Sequence, residues 1–342
     1  MKKILIALAA VATLTACSKS EVQYEPAGEI TFTPVAKNIT KAMMEGNEFN
    51  TAEQFNVWAY YNPTVTVNSD IDGWVAEYNT ADGARPYIEN KPFAYDDSYS
   101  LWAGVTPYFW PKVGTLAFAG YHPTTANAAY TLSSEKNEMK FSDVENSWVS
   151  AETTNAEDLM YFNLTQCYSK NNVTAVFKHA LSWLTVNLAT TQKTLDAKAT
   201  IKVNSVKFTD VYPQGDGVVA NQATIAWTPE GTKEEIEVVE SEVTLKVDAQ
   251  KQKEPLFIPQ TMAGNLVVNY TISSTDGSSF TENKVITLSG MKDVNGNSLS
   301  AWDPAKHYIY NIVISTEEIL IDASVTDWTT VEIPVEIPET NN

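Results

Sequence analysis

The sequence predicts an all-β protein built of antiparallel sandwiches, and three observations carry the prediction. Apolar and polar residues alternate at Ile30, Thr31, Phe32 and Thr33, at residues 244–247 and at residues 331–338, which is the period of a half-buried strand. Turn-forming clusters recur at Asn68-Ser69-Asp70, Asp82-Gly83, Asp276-Gly277-Ser278 and Asn295-Gly296-Asn297. Helical periodicity is nearly absent: the best candidate is residues 155–161, and no heptad or short-period repeat runs through the chain.

In chain order, the first element is an address and not part of the fold. Lys2 and Lys3 precede an apolar run over residues 4–14, shorter than the ~20 residues needed to cross a bilayer, so residues 1–16 read as a signal peptide. The run ends in Leu14-Thr15-Ala16-Cys17, similar to a bacterial lipobox, in which small residues admit the backbone to the peptidase and the cysteine carries lipid. Several acyl chains on one residue anchor a protein stably, so Cys17 is the expected anchor and residues 17–28 a lipidated linker. Cys167 is then left without a disulfide partner and is expected to act as a small hydrophobe.

Two strand-rich halves follow. Residues 55–61 and 266–272 are runs of β-branched and aromatic side chains suited to buried strands. The polar stretch 153–172 lies between the halves and predicts a boundary there, giving units of residues 29–165 and 166–342, each of ordinary domain size. The tail offers apolar residues at every second position, first Ile319, Ile321, Ala323 and Val325, then Val331, Ile333, Val335 and Ile337. Pro334 and Pro338 cannot donate to a ladder, which confines the second of these stretches to a sheet edge.

Composition narrows the function. The formal charge is −19, and −21 once Lys2 and Lys3 are removed, so nucleic acid is not an expected partner and anionic lipid is not held by charge. His122, His179 and His307 lie far apart in aromatic or apolar contexts, with no metal-ligand spacing, and read as structural. There is no Gly-rich phosphate loop and no G-x-S-x-G elbow. The stretch Asp293-Val294-Asn295-Gly296-Asn297 has its glycine at the fourth position, where a calcium loop needs it at the sixth, and is expected to be a hairpin turn. The N-x-T sequons at Asn38, Asn163, Asn172 and Asn269 carry little meaning in a bacterial lipoprotein. No catalytic residue, cofactor site or metal site is expected. The nine tryptophans could stack on sugars if exposed, but their strand contexts place them in sandwich cores.

Several stretches, taken in order, resemble the fimbrillin-like proteins of Bacteroidetes, which build type V pili. Residues 30–32 lead to Thr40-Lys41-Ala42 and then to Phe55-Asn56-Val57-Trp58-Ala59-Tyr60-Tyr61. Tyr108-Phe109-Trp110-Pro111, residues 116–123 and Asp158-Leu159-Met160-Tyr161 complete the first half. Residues 177–182, Phe257-Ile258-Pro259-Gln260, residues 302–310 and Val325-Thr326-Asp327-Trp328 mark the second. The resemblance implies two consecutive transthyretin-like antiparallel β-sandwich domains, lipoprotein export, proteolytic removal of the first strand and polymerisation by donor-strand exchange.

On that footing Ile30 and Phe32 belong to the strand released on maturation, expected at a sheet edge. The family commonly has an arginine before the cleavage point, whereas this chain has Lys41 there, with Lys37 the alternative; its only arginine, Arg85, precedes Pro86. Residues 319–338 are the candidate donor segment, with Val331, Ile333, Val335 and Ile337 as the inserting side chains. The implied partners are other fimbrial subunits, a maturation protease, the membrane through the lipid, and a ligand on a host or bacterial surface. The implied location is the outer membrane and cell surface. The competing expectation is a monomeric outer-membrane surface lipoprotein that binds glycans or host ligands.

Overall fold

The structure is a computed structural model that describes residues 28–36, 49, 51–63, 85–132, 137–149, 158–163, 172–220, 223–239, 241–317 and 319–327. Nearly all of these residues lie in strands or the turns between them, as the alternation predicts.

The first half winds into a barrel. β1 (Thr31–Ala36), β2 (Gln54–Asn62), β3 (Arg85–Asp96), β4 (Leu101–Gly104) and β5 (Thr115–His122) enter it in turn. β6 (Ala128–Leu132), β7 (Asn137–Glu145) and β8 (Ser147–Val149) leave it, and β9 (Met160–Asn163) and β10 (Val173–His179) return to close it in the order β1-β10-β9-β5-β2-β3-β4. β2 and β5 are buried on both faces, which is why their sequences are nearly unbroken in apolar residues. Phe55, Val57 and Ala59 of β2 face the barrel interior, while Trp58 and Tyr60 face a second core outside it. Gly120 of β5 sits where a Cβ would lie 2.4 Å from the Phe162 ring and 2.5 Å from the Asn56 carbonyl, so only glycine lets these strands close up.

The second half is a sandwich. β11 (Ser182–Thr190) is followed by one helical turn, α1 (Gln192–Asp196), capped by Thr191, whose side chain accepts from the Thr194 amide. β12 (Thr200–Val211), β13 (Gln214–Ala220), β14 (Ala226–Glu230), β15 (Glu234–Val239), β16 (Val243–Thr244), β17 (Gln250–Lys251) and β18 (Glu254–Phe257) come next. β19 (Gln260–Thr261), β20 (Asn265–Ser273), β21 (Ser279–Thr287), β22 (Ala301–Trp302), β23 (Lys306–Ile314) and β24 (Ile319–Asp327) are the last strands among the described residues. The sheet β24-β23-β11-β18-β8 packs on the sheet β15-β12-β20-β21 around Leu184, Val186, Val206, Phe208, Phe257, Tyr310 and Ile312. Within the first of these sheets β11 runs parallel to β23 with Trp183 opposite His307, and β23 runs antiparallel to β24 with His307 opposite Thr326.

Three expectations change. The first half is a closed barrel with a parallel β1–β10 ladder in place of an antiparallel sandwich. The boundary expected after residue 165 falls inside that barrel, because β10 pairs with β1 and β9. The halves are also interleaved: β13 pairs with β7 and β18 with β8, and the second core joins Trp58, Tyr121 and Phe141 to Trp183, Val219 and Ile258. Lastly, the end of the helical candidate 155–161 is extended, since Met160 and Tyr161 lie in β9 and are buried in the two cores. A helix of so few residues has little stability of its own, so burial on the barrel decides the backbone.

Candidate assembly site

The candidate site is the seat of the first strand. From the residue before β1 onward the side chains alternate, so Ile30, Phe32 and Pro34 turn inward while Thr33 is exposed. The Phe32 ring is ringed by Phe93 at 5.0 Å, Phe118 at 5.3 Å, Phe55 at 5.7 Å and Phe162 at 6.0 Å between centroids, the first three edge-on. Along one side β1 is bonded in parallel to β10, from Phe32 opposite Val173 to Ala36 opposite Phe177. Along the other it meets β4 only at Thr31–Ala103 and Phe32–Trp102. Upstream, the Ile30 amide donates to the Tyr108 carbonyl at 2.8 Å and the Trp110 amide to the Gly28 carbonyl at 2.6 Å. Thr31 donates to the Asn172 side-chain carbonyl, and the Asn172 amide donates to the Thr33 hydroxyl, which fixes the register from outside.

The expected edge position of this strand is therefore corrected. Phe32 is paired on both sides, with Val173 of β10 and Trp102 of β4, where the sheet closes into a barrel. Residues 33–36 are bonded on the β10 side alone among the described residues, so the strand is half enclosed and half marginal. Burial, helped by the Asp96 carboxylate, lifts the Glu29 carboxyl above its ordinary pKa at the start of this segment. Burial also raises the Tyr87 phenol, whose hydroxyl donates to the Phe109 carbonyl beside the strand entrance.

At the other end of the chain, β24 pairs with β23 along its whole length, from Ile314–Ile319 to Lys306–Asp327. Ile319, Ile321 and Val325 pack on the sandwich core and Ala323 lies within it. Residues 319–327, half of the candidate donor segment, thus belong to the chain's own sheet. Val331, Ile333, Val335 and Ile337 lie outside the described residues, as do Cys17, Lys37, Lys41 and Cys167. Lys37 directly follows the last residue of β1.

All three histidines are buried. His122 Nδ1 lies 2.7 Å from the Gln54 carbonyl, and burial pulls its pKa down. His179 Nδ1 lies 2.7 Å from Asp158 Oδ2 in the interior. His307 stacks on Trp183 at 3.5 Å with Nε2 2.8 Å from the Thr185 hydroxyl, and burial with the nearby Lys251 pushes its pKa down to about 3. No group of three metal-ligating side chains occurs among the described residues. Asp293 accepts from the Asn295 and Asn297 amides, and Gly296 takes φ 85°, so this stretch is the expected hairpin turn. Trp58, Trp102, Trp183 and Trp302 fill cores as the strand contexts predict, while Trp110 is half-buried and Trp148 exposed.

A family model described as fimbrillin-like matches residues 40–328. Among solved structures, a fimbrial protein from Bacteroides vulgatus is 14% identical, with a TM-score of 0.58 over 87% of this chain and 99% of that one. A protein from Bacteroides uniformis assigned to cell adhesion is 15% identical, with a TM-score of 0.53 over 88% of this chain and 100% of that one. Another assigned to cell adhesion, from Parabacteroides distasonis, is 8% identical, with a TM-score of 0.51 over 90% of this chain and 99% of that one. At these identities the likeness is one of fold. No curated protein matches. The family match, which runs from ahead of β2 through β24, establishes that this chain belongs to the fimbrillin-like family.

Proposed function

We propose that the chain is a structural subunit of a cell-surface fimbria, exported as an outer-membrane lipoprotein on Cys17 and assembled by strand exchange with other subunits. A protease cuts after Lys41 or Lys37, the first strand leaves, and the tail of a neighbouring subunit takes its place.

The observation that carries the reading is the burial of Phe32, in a strand that ends one residue before Lys37, and of Ile30 just ahead of that strand. Cleavage there leaves residues 28–36 held only by ladder bonds and side-chain contacts, so the cut itself is structurally silent. Departure of the strand uncovers two large apolar side chains' worth of surface, at ~1.5–3 kcal/mol each. It also leaves the β10 backbone unpaired along one side, a template for another extended chain. Val331, Ile333, Val335 and Ile337 repeat the two-residue spacing of Ile30, Phe32 and Pro34, and an incoming tail would run parallel to β10 as β1 does.

Treatment of the purified protein with a Lys-specific protease should yield polymers visible by electron microscopy. Ile333→Asp with Val335→Asp should abolish them while leaving a monomer with the wild-type melting curve. A double mutant that unfolds would make the tail part of its own core, and one that still polymerises would place the donor elsewhere; either outcome defeats this reading.

A further inference from the structure

Away from the strand seat, a cleft of about 290 Å³ opens where the two halves interleave, between β8, β13, β15 and β18. Its floor is rigid. Asn146, in the turn from β7 to β8, receives Ile258 N on its side-chain oxygen at 2.9 Å, donates its side-chain amide to the Tyr212 carbonyl at 2.8 Å, and donates its backbone amide to the Pro213 carbonyl at 2.8 Å. All three contacts cross from one half to the other, so the cavity is formed before any ligand arrives. Pro213, Pro255 and Phe257 supply apolar wall, and Trp148 stands at the rim, 39% exposed among aromatics that are otherwise mostly interior. Gln214, Glu145 and Glu234 complete the lining.

This combination suits a ligand with one apolar face and a rim of hydroxyls. An exposed indole stacks on a flat C–H face, and carboxylates and a carboxamide accept from vicinal hydroxyls that a bare apolar pocket would reject. Charge argues against an ionic occupant. Lys253 lies over the Trp148 ring at 5.6 Å and Lys233 over the Tyr212 ring at 5.0 Å, so two ammonium groups offset the two carboxylates around the cleft.

We infer that this cleft is a binding site for a neutral hexose unit of a glycan, stacked on the face of Trp148 that Lys253 leaves free, with Gln214, Glu145 and Glu234 as hydroxyl acceptors. The site is independent of strand exchange and is present in the uncleaved monomer. Saturation-transfer NMR on the full chain, with methyl glucosides, galactosides and mannosides as neutral probes and arginine methyl ester as a cationic one, tests it. At least one hexoside should show saturable transfer. Trp148→Ala should weaken it roughly tenfold or more, as loss of a central aromatic anchor does, while Phe280→Ala on the remote strand β21 should leave it unchanged. If Trp148→Ala melts early, Glu145→Gln and Glu234→Gln at exposed positions replace it and should weaken binding in the same way. Transfer to no hexoside, transfer to arginine methyl ester alone, or hexoside binding indifferent to the cleft variants would overturn the inference.

Discussion

Phe32 is seated deep in the barrel's aromatic packing, with four phenyl rings within about 6 Å of it. Phe32→Ala should lower unfolding stability by about 3–5 kcal/mol, because a ring surrounded by rigid rings leaves a cavity that cannot collapse; urea titration of the uncleaved protein measures it. His307 sets a second expectation at this scale. Folded, it stays neutral down to about pH 3; unfolded, it takes a proton near its ordinary 6.5. The stability it secures is therefore complete above pH 6.5 and is lost as the pH falls towards 3. His122 is shifted the same way and adds to the slope. The urea midpoint should fall between pH 7 and pH 4.5, and His307→Phe should flatten part of that fall. The inward set of Ile30 and Phe32 was legible in the sequence because alternation reports a face. The rings around Phe32 were not, since alternation says nothing about which strand lies alongside.

At the scale of elements, β1 is held by one long parallel ladder and one short antiparallel contact. After a cut at Lys37 or Lys41 its release rate should be set by the burial of residues 29–32. Ionised Glu29 opposes that burial, since its raised pKa means the seated strand favours the protonated form. The strand should thus sit more firmly at pH 4 and loosen as the pH rises through the Glu29 pKa. Glu29→Gln should slow release at pH 7 and make no difference at pH 4, a contrast readable by size-exclusion chromatography of the nicked protein. Strand existence was readable here from periodicity, and the hairpin at Asp293 from its turn residues. The β1–β10 pairing was not: its partners lie more than 130 residues apart, and parallel pairing has no turn to announce it.

For the whole molecule, the unexpected feature is that neither half is complete. β7 lies between β6 of the first half and β13 of the second, and the core around Trp58 and Tyr121 needs Val219, Ile225 and Ile258 from beyond residue 180. A fragment of residues 28–181, which holds every barrel strand, should therefore fail to give a cooperative melt by circular dichroism. The full chain should give a single transition with both halves melting together. The polar stretch 153–172 suggested a boundary because local composition registers loops, whereas a hairpin that crosses from one half to pair with the other leaves no local mark.

The register of β11, β23 and β24 has a mechanical consequence. Trp183 opposite His307, and His307 opposite Thr326, bring the start of β11 and the end of β24 to the same end of one sheet. They are two strand spacings apart, about 10 Å. β11 continues directly from β10, which lines the strand seat, and the tail departs from Asp327. In a fimbria built as proposed, tension entering through β10 leaves through Asp327 by way of this corner. The corner is fastened by the Ala305 amide on the Leu181 carbonyl, the Ser182 hydroxyl on the Asp303 carbonyl, the Trp183–His307 stack and the Lys306–Asp327 ion pair. The outer strands β20 and β21 lie beside the line of pull, so the tensile strength of such a filament would reside in a handful of residues at this corner.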